Sequence, residues 1–212
     1  LPTRRPHGLY AVTPDCEDTR QLLKHVLAAL EGGVRFVQYR NKSAAAALRR
    51  EQASALKSLC EDYGASLIVN DHASLAAEVD AAGVHLGGED GDIAEARATL
   101  GADKVIGISC YDRIERARTA VAAGADYIAF GSFFPSQVKP GAVRASLELL
   151  RQARRELAVP IAAIGGITLQ NAPELVRAGA DSVAVISALF GARDIGAAAR
   201  GFSALFEAPD RS

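Results

Sequence analysis

Leu67-Ile68-Val69-Asn70-Asp71 is the stretch on which the reading of this chain turns. Three apolar residues stop abruptly at two polar ones, as in a buried strand that ends at a surface. Gly83-Val84-His85-Leu86-Gly87 repeats the pattern and leads to Glu89 and Asp90. In a parallel barrel every strand ends on the same face, so acids just past two strand ends converge. Two carboxylates beside an amide suit a hard cation such as Mg2+, which takes a few carboxylates plus water and phosphate oxygens. A plainer reading is that Asn70-Asp71 caps a helix starting near His72, since Asp and Asn are favoured caps. The stretch by itself leaves both readings open.

Outward from it, apolar runs and helical patterns alternate. Gly8-Leu9-Tyr10-Ala11-Val12-Thr13 reads as a strand closed by Pro14-Asp15. A helix over about 18–31 follows, with Leu22, Leu23, Val26, Leu27 and Leu30 at helical spacing, ended by Gly32-Gly33. Phe36 to Arg40 is the next strand, and Ser43 is placed to cap a helix of about 44–63. Strands at 66–69 and 83–86 enclose a helix at about 72–80. A helix at 93–100 precedes the strand Val105-Ile106-Gly107-Ile108, which ends in Ser109. Helices at 112–123, 145–157, 169–178 and 194–207 then alternate with strands at 126–130, 160–164 and 181–185. Eight such units indicate a single-domain (β/α)8 TIM barrel over residues 1–212, with 1–7 as an N-terminal arm. A doubly wound open sheet is the runner-up, because alternation does not show closure. A weak repeat supports the barrel. Glu31-Gly32-Gly33-Val34, Ala82-Gly83-Val84, Ala123-Gly124-Ala125-Asp126 and Ala178-Gly179-Ala180-Asp181 mark the junctions before the second, fourth, sixth and eighth strands.

Composition narrows the chemistry. With 24 Lys and Arg against 25 Asp and Glu, the formal charge is −1. No basic excess points to nucleic acid or a membrane surface, so an anion site must be local. The expected partners are small-molecule substrates, with the chain a monomer or homo-oligomer. Cys16, Cys60 and Cys110 are scattered, without a CxxC pair, which argues against a disulfide framework or a zinc site and for a cytoplasmic protein with reduced thiols. No apolar run is long enough to span a membrane. The opening Leu1-Pro2-Thr3-Arg4-Arg5-Pro6 has no apolar region after it and reads as a solvated arm rather than a signal peptide; because Leu1 is not Met, residues are expected to precede it.

The strand ends carry the candidate chemistry. They read Gln38-Tyr39-Arg40-Asn41-Lys42, Asn70-Asp71, Asp90, Ser109, Ser132 through Lys139, Gly165-Gly166 and Ile186-Ser187. Cations and acids on one rim suit a metal-bridged polyphosphate. Arg40 and Lys42 alternate around Asn41, which in an extended segment aims both the same way, toward phosphate oxygens or simply toward water. Gly165-Gly166-Ile167-Thr168 follows an apolar strand and opens a helix, and Ser187-Ala188-Leu189-Phe190 provides a short extra helix. Together these resemble the phosphate site of barrel loops seven and eight, although the glycines also suit a tight turn. His85 lies within a strand and reads as a barrel-interior histidine rather than a base. Tyr10 and Tyr39 either line the mouth or pack. Cys110 has no histidine neighbour that would make it a nucleophile.

The order and spacing of these motifs resemble the thiamine phosphate synthase family nearly end to end. The matching pieces include Leu9 to Asp15, Val37 to Lys42, Asn70-Asp71, Gly83 to Gly87 with Glu89-Asp90, Ile106 to Ser109, Phe134-Pro135-Ser136 with Lys139-Pro140, Ala163 to Ile167 and Val185 to Ala188. The resemblance implies a transferase that joins hydroxymethylpyrimidine diphosphate to a thiazole phosphate, releasing pyrophosphate and forming thiamine phosphate. It implies that Gln38, Tyr39, Arg40, Asn41 and Lys42, with Asn70, Ser109 and Lys139, hold the pyrimidine diphosphate. Of these, Arg40, Lys42, Ser109 and Lys139 are implied to serve the reaction, and Asp71 and Asp90 to bind Mg2+. Ser136, Gln137, Val138, Gly166, Ile186 and Ser187 are implied to hold the thiazole phosphate. The resemblance also implies that the step needs no protein nucleophile: pyrophosphate leaves the pyrimidine CH2 with help from the exocyclic amine, and the thiazole nitrogen attacks the cationic carbon. Ser136 and Val138 stand where the family commonly has Thr-x-Thr, so contact at Val138 is through backbone or apolar atoms. Gly88 replaces a usual Gln, Asn41 a usual acid and Tyr111 a usual His. The last substitution, with Lys139-Pro140 retained, favours the synthase over the thiazole tautomerase relatives. A non-catalytic ligand-binding barrel is the alternative of a different class.

Overall fold

The computed structural model describes residues 5–87, 92–135, 141 and 143–207. The strands are β1 (Gly8–Val12), β2 (Phe36–Tyr39), β3 (Ser66–Asn70), β4 (Gly83–Leu86), β5 (Val105–Tyr111), β6 (Tyr127–Phe130), β7 (Ile161–Ile164) and β8 (Ser182–Val185). They pair in sequence order, all parallel, and β8 returns to β1 through Leu9↔Val183 and Ala11↔Val185. That closure excludes the open sheet. Between them run α1 (Thr19–Glu31), α2 (Ala46–Asp62), α3 (Ala73–Glu78), α4 (Ile93–Leu100), α5 (Ile114–Ala122), α6 (Leu147–Glu156) and α7 (Ala172–Arg177). The short α8 (Ser187–Phe190) and then α9 (Ile195–Ser203) follow β8.

Alternation along each strand builds two cores. Leu9, Ala11, Val37, Leu67 and Val69 face outward into the layer under the helices, while Tyr10, Val12, Phe36, Ile68 and Tyr127 fill the barrel. On α1, Leu22, Val26, Ala29 and Leu30 form the buried stripe. Asp18 starts that helix by accepting from the Arg20 and Gln21 amides. Each buried Leu or Val contributes roughly 1.5–3 kcal/mol, so the stripe, more than intrinsic propensity, fixes α1 to the sheet. In the terminal arm Pro6 is buried and His7 packs edge-on to Phe206 at 5.8 Å.

The repeated junctions have a shared job in two of four cases. Asp126 accepts from the Ile106 amide at 2.8 Å and pairs with Arg97 of α4 at 2.6 Å. Asp181, two units later, accepts from the Ile161 amide at 2.8 Å and pairs with Arg154 of α6 at 2.8 Å. Each acid ties a strand to its predecessor and to a helix at the N-terminal end of the barrel. The junction at Gly83 differs: this glycine lies within β4, where an added Cβ would fall 1.9 Å from the Val105 carbonyl oxygen.

Several boundaries move from the sequence reading. Ser43 does not cap α2; its hydroxyl donates to Asn41 at 3.1 Å, and Ala45 occupies the cap without a side-chain bond. β5 does not stop at Ser109 but runs to Tyr111, with a register shift against β6 between these residues. No helix opens at Gly165–Thr168. The chain turns there and α7 starts at Ala172 after Asn171 has bridged the turn, accepting from the Thr168 amide at 2.8 Å and donating to the Gly166 carbonyl at 3.0 Å. The C-terminal helix yields to a 3-10 turn at Ala204–Phe206.

Candidate active site

The C-terminal ends of β1 and β2 are cross-braced. Thr13 Oγ1 accepts from the Arg40 amide and donates to the Arg40 carbonyl, both at 2.9 Å. Asp15 Oδ1 accepts from the Lys42 amide at 2.7 Å and pairs with the Arg40 guanidinium at 3.2 Å. Gln38 faces the barrel axis, so Tyr39 faces away, into the layer beneath α2. There its hydroxyl donates to Gln52 Oε1 at 2.8 Å, and burial pushes the phenol pKa up to about 12. Asn41 is buried too, donating to the Cys16 carbonyl at 2.7 Å and to Gln52 at 3.0 Å. Tyr39 therefore packs beneath α2 and also lines a cleft at the mouth of the barrel.

Arg40 and Lys42 line two different clefts of the rim. Arg40 lines a cleft of about 690 Å3 with Asp15, Ile186, Ser187 and Phe190. Lys42 lines one of about 280 Å3 with Tyr39, Asn41, Arg49, Asn70, Asp71 and His72. Asp15 engages both, pairing with the Arg40 guanidinium and accepting from the Lys42 amide.

Asp71 is not a helix cap. The cap position of α3 is His72, whose side chain makes no capping bond to the helix. The Asp71 backbone is left-handed at φ 63, and its amide donates to the His85 carbonyl at 2.8 Å. Its carboxylate accepts from Asn70 Nδ2 at 2.6 Å and from the Gly87 amide at 3.3 Å, and lies 3.5 Å from Lys42 Nζ. A carboxylate has lone pairs beyond these, so Asp71 fits an oxygen-seeking cation. Among the described residues no cluster of three or more His, Cys, Asp or Glu stands ready for a metal. Asp90, Ser136, Gln137, Val138 and Lys139 lie outside the described residues.

Ser109 is half-buried in β5, 2.9 Å from His85 Nε2, and His85 Nδ1 lies 2.9 Å from the Tyr127 hydroxyl. The Tyr127 hydroxyl is 2.8 Å from that of Tyr10, which accepts from Gln38 Nε2 at 2.7 Å. Burial drives the His85 pKa down to about 4 against a smaller opposing pull from Asp71, so the ring is neutral at pH 7. Burial raises both phenols above their ordinary value. It pushes the Cys110 thiol up to about 12, which removes it as a nucleophile.

Gly166 has φ 63, and a Cβ there would sit 2.3 Å from the Pro135 carbonyl oxygen. The start of the β6 loop is zipped onto the end of β7, with the Phe133 amide donating to Ile164 at 3.1 Å and the Phe134 amide to Gly165 at 3.0 Å. The glycines thus make close loop packing possible. Ile186 caps the short α8, which begins at Ser187.

Three structural participants were not singled out as site residues in the sequence: Asp15, Arg49 and Gln52. Gln52 had a signal, a polar residue beside Ala53, Leu56 and Cys60 on the buried face of α2. Arg49 had none; it donates to the Ala44 carbonyl at 2.7 Å, and its buried Nε has no hydrogen-bond partner among the described residues.

The closed (β/α)8 barrel carries Arg40, Lys42 and Asp71 on its C-terminal rim, the face where barrel enzymes build their active sites. Residues 9–189 match the family model described as thiamine monophosphate synthase. The chain is 54% identical over 206 residues to the thiamine-phosphate synthase of Nitrosospira multiformis, covering 97% of this chain and 88% of that one. It is 51% identical over 208 residues to that of Aromatoleum aromaticum, covering 98% and 100%. A solved structure of thiamine phosphate pyrophosphorylase from Pyrococcus furiosus superposes with a TM-score of 0.85 at 36% identity, covering 96% of this chain and 97% of that one. The chain belongs to the thiamine monophosphate synthase family. Its function is that of a transferase in thiamine biosynthesis, joining the pyrimidine diphosphate to the thiazole phosphate with release of pyrophosphate.

Proposed function

We propose that the rim divides this reaction among the following residues. Gln38, Tyr39, Arg40, Asn41, Lys42, Asn70, Ser109 and Lys139 hold the pyrimidine diphosphate. Ser136, Gln137, Val138, Gly166, Ile186 and Ser187 hold the thiazole phosphate. Asp71 and Asp90 hold Mg2+, which when bound supplies positive charge against the departing diphosphate. Arg40, Lys42 and Lys139 oppose the same charge from the protein side, and the Ser109 hydroxyl donates to it. The rim holds the two substrates together, so that the thiazole nitrogen attacks the pyrimidine CH2 carbon left cationic when its bond to the diphosphate oxygen breaks.

The observation that carries this reading is the meeting of Lys42 and Asp71. An ammonium from the end of β2 and a carboxylate from the end of β3 stand 3.5 Å apart with Asn70 bonded to the acid. Such a pair presents a cation and a metal ligand to one anion. The expected partners are small molecules alone, with the chain acting as a monomer or homo-oligomer. No helix among the described residues is long and apolar enough to cross a membrane. The three free thiols support a reducing, cytoplasmic setting.

The test is pyrophosphate release from both substrates with Mg2+. Asp71→Ala and Asp90→Ala should each lower kcat on the order of 100-fold or more. Circular dichroism should show a retained fold. Unfolding of Asp71→Ala, or full turnover by either variant, would defeat the metal assignment.

A further inference from the structure

The chain of hydrogen bonds from Gln38 to Ser109 crosses the barrel interior, and its direction is determined at one end. Gln38 Nε2 only donates, so the Tyr10 oxygen accepts from it. Tyr10 and Tyr127 are both about 1% exposed or less, and each phenol has one proton to place. If Tyr10 donates to Tyr127, the Tyr127 proton goes to His85 Nδ1. That nitrogen is then bare, the ring proton sits on Nε2, and Nε2 donates to Ser109 Oγ. In the opposite direction Tyr10 would receive from both Gln38 and Tyr127. Its own buried proton would then have no acceptor among the described contacts, and an unpaired buried donor is disfavoured.

We infer that Gln38 orients a relay through Tyr10, Tyr127 and His85 that keeps His85 in its Nε2–H form and turns the Ser109 hydroxyl proton out toward the substrate. Tyr10, Tyr127 and His85 are positioning residues in this scheme. It rests on the placement of Gln38 and Ser109 in the pyrimidine diphosphate site proposed above.

Two further features fit it. Gly107 clears the path: a Cβ there would lie 1.9 Å from Tyr127 Cζ and 2.4 Å from its hydroxyl oxygen. The His85 and Tyr127 rings lie 5.6 Å apart at 30°, which locks the imidazole plane. The outcome suits the chemistry, because a diphosphate oxygen needs a donor. An outward hydroxyl proton stabilises the leaving charge, and an outward lone pair would oppose it.

The relay is read by 15N NMR of histidine-labelled protein, with the His85 signals identified from their loss in His85→Gln. We expect a protonated Nε2 and a bare Nδ1 in the unmodified protein. Tyr127→Phe should abolish this fixed tautomer. It should lower kcat about tenfold and leave both KM values within about twofold. In a Ser109→Ala background it should cost nothing further, since its effect passes through Ser109. A proton on Nδ1 in the unmodified protein, an unchanged tautomer in Tyr127→Phe, or a loss additive with Ser109→Ala would overturn the relay. Undiminished turnover by Ser109→Ala would instead overturn the site placement beneath it, so the two failures are distinguishable.

Discussion

Gly107 shows how one residue inside a strand serves a site it does not touch. In the sequence it is a break in an apolar run, and a glycine there signals close approach without saying of what. The partner is Tyr127, twenty positions on, whose phenol fills the space where a side chain would be. We expect Gly107→Ala to destabilise the fold by about 1–3 kcal/mol through overpacking, measured by urea denaturation. His85 was legible as an interior histidine because it sits inside a strand. Its partners were not, since Tyr127 and Ser109 lie 42 and 24 residues away. Barrel closure and register decide such meetings, and no local pattern encodes them. The same limit hid Asp15, whose carboxylate meets Arg40 and the Lys42 amide 25 and 27 residues away.

At the scale of elements, periodicity located the eight strands and the intervening helices, and it failed mainly at their ends. Terminal residues are decided by side-chain bonds rather than by apolar spacing. Asn171 closes a turn that delays α7, and Asn41 takes the Ser43 hydroxyl away from the start of α2. The repeated Ala-Gly-Ala-Asp was visible as a rhythm, but the role of its acid was not. Asp181 braces β7, β8 and α6 at the end of the barrel opposite the proposed site. Removing its carboxylate leaves the Ile161 amide and Arg154 without that partner. We expect Asp181→Ala to lose about 1–3 kcal/mol in denaturant unfolding while kcat stays within about twofold. A fall in kcat at full stability would mean that the N-terminal end of the barrel communicates with the rim.

Across the whole molecule, the barrel encloses a polar chain where apolar layers would pack more simply, and that choice makes stability depend on pH. His85 is buried, and desolvation is the main reason its pKa falls from 6.5 to about 4. Between those values the unfolded chain takes up a proton that the folded chain refuses, so unfolding is favoured as the pH drops. The stabilisation is complete above about pH 6.5 and is lost as the pH falls toward 4. A shift of this size corresponds to about 3 kcal/mol over the full window. Exposed acids contribute their own acid sensitivity, so the comparison must be with a protein that lacks the imidazole. Urea unfolding of metal-free protein at pH 7 and pH 4.5 should show the unmodified chain losing about 2–3 kcal/mol more than His85→Asn. Equal losses in the two proteins would mean that the imidazole meets water in the native state, and the interior chain would then be open to solvent rather than sealed inside the barrel.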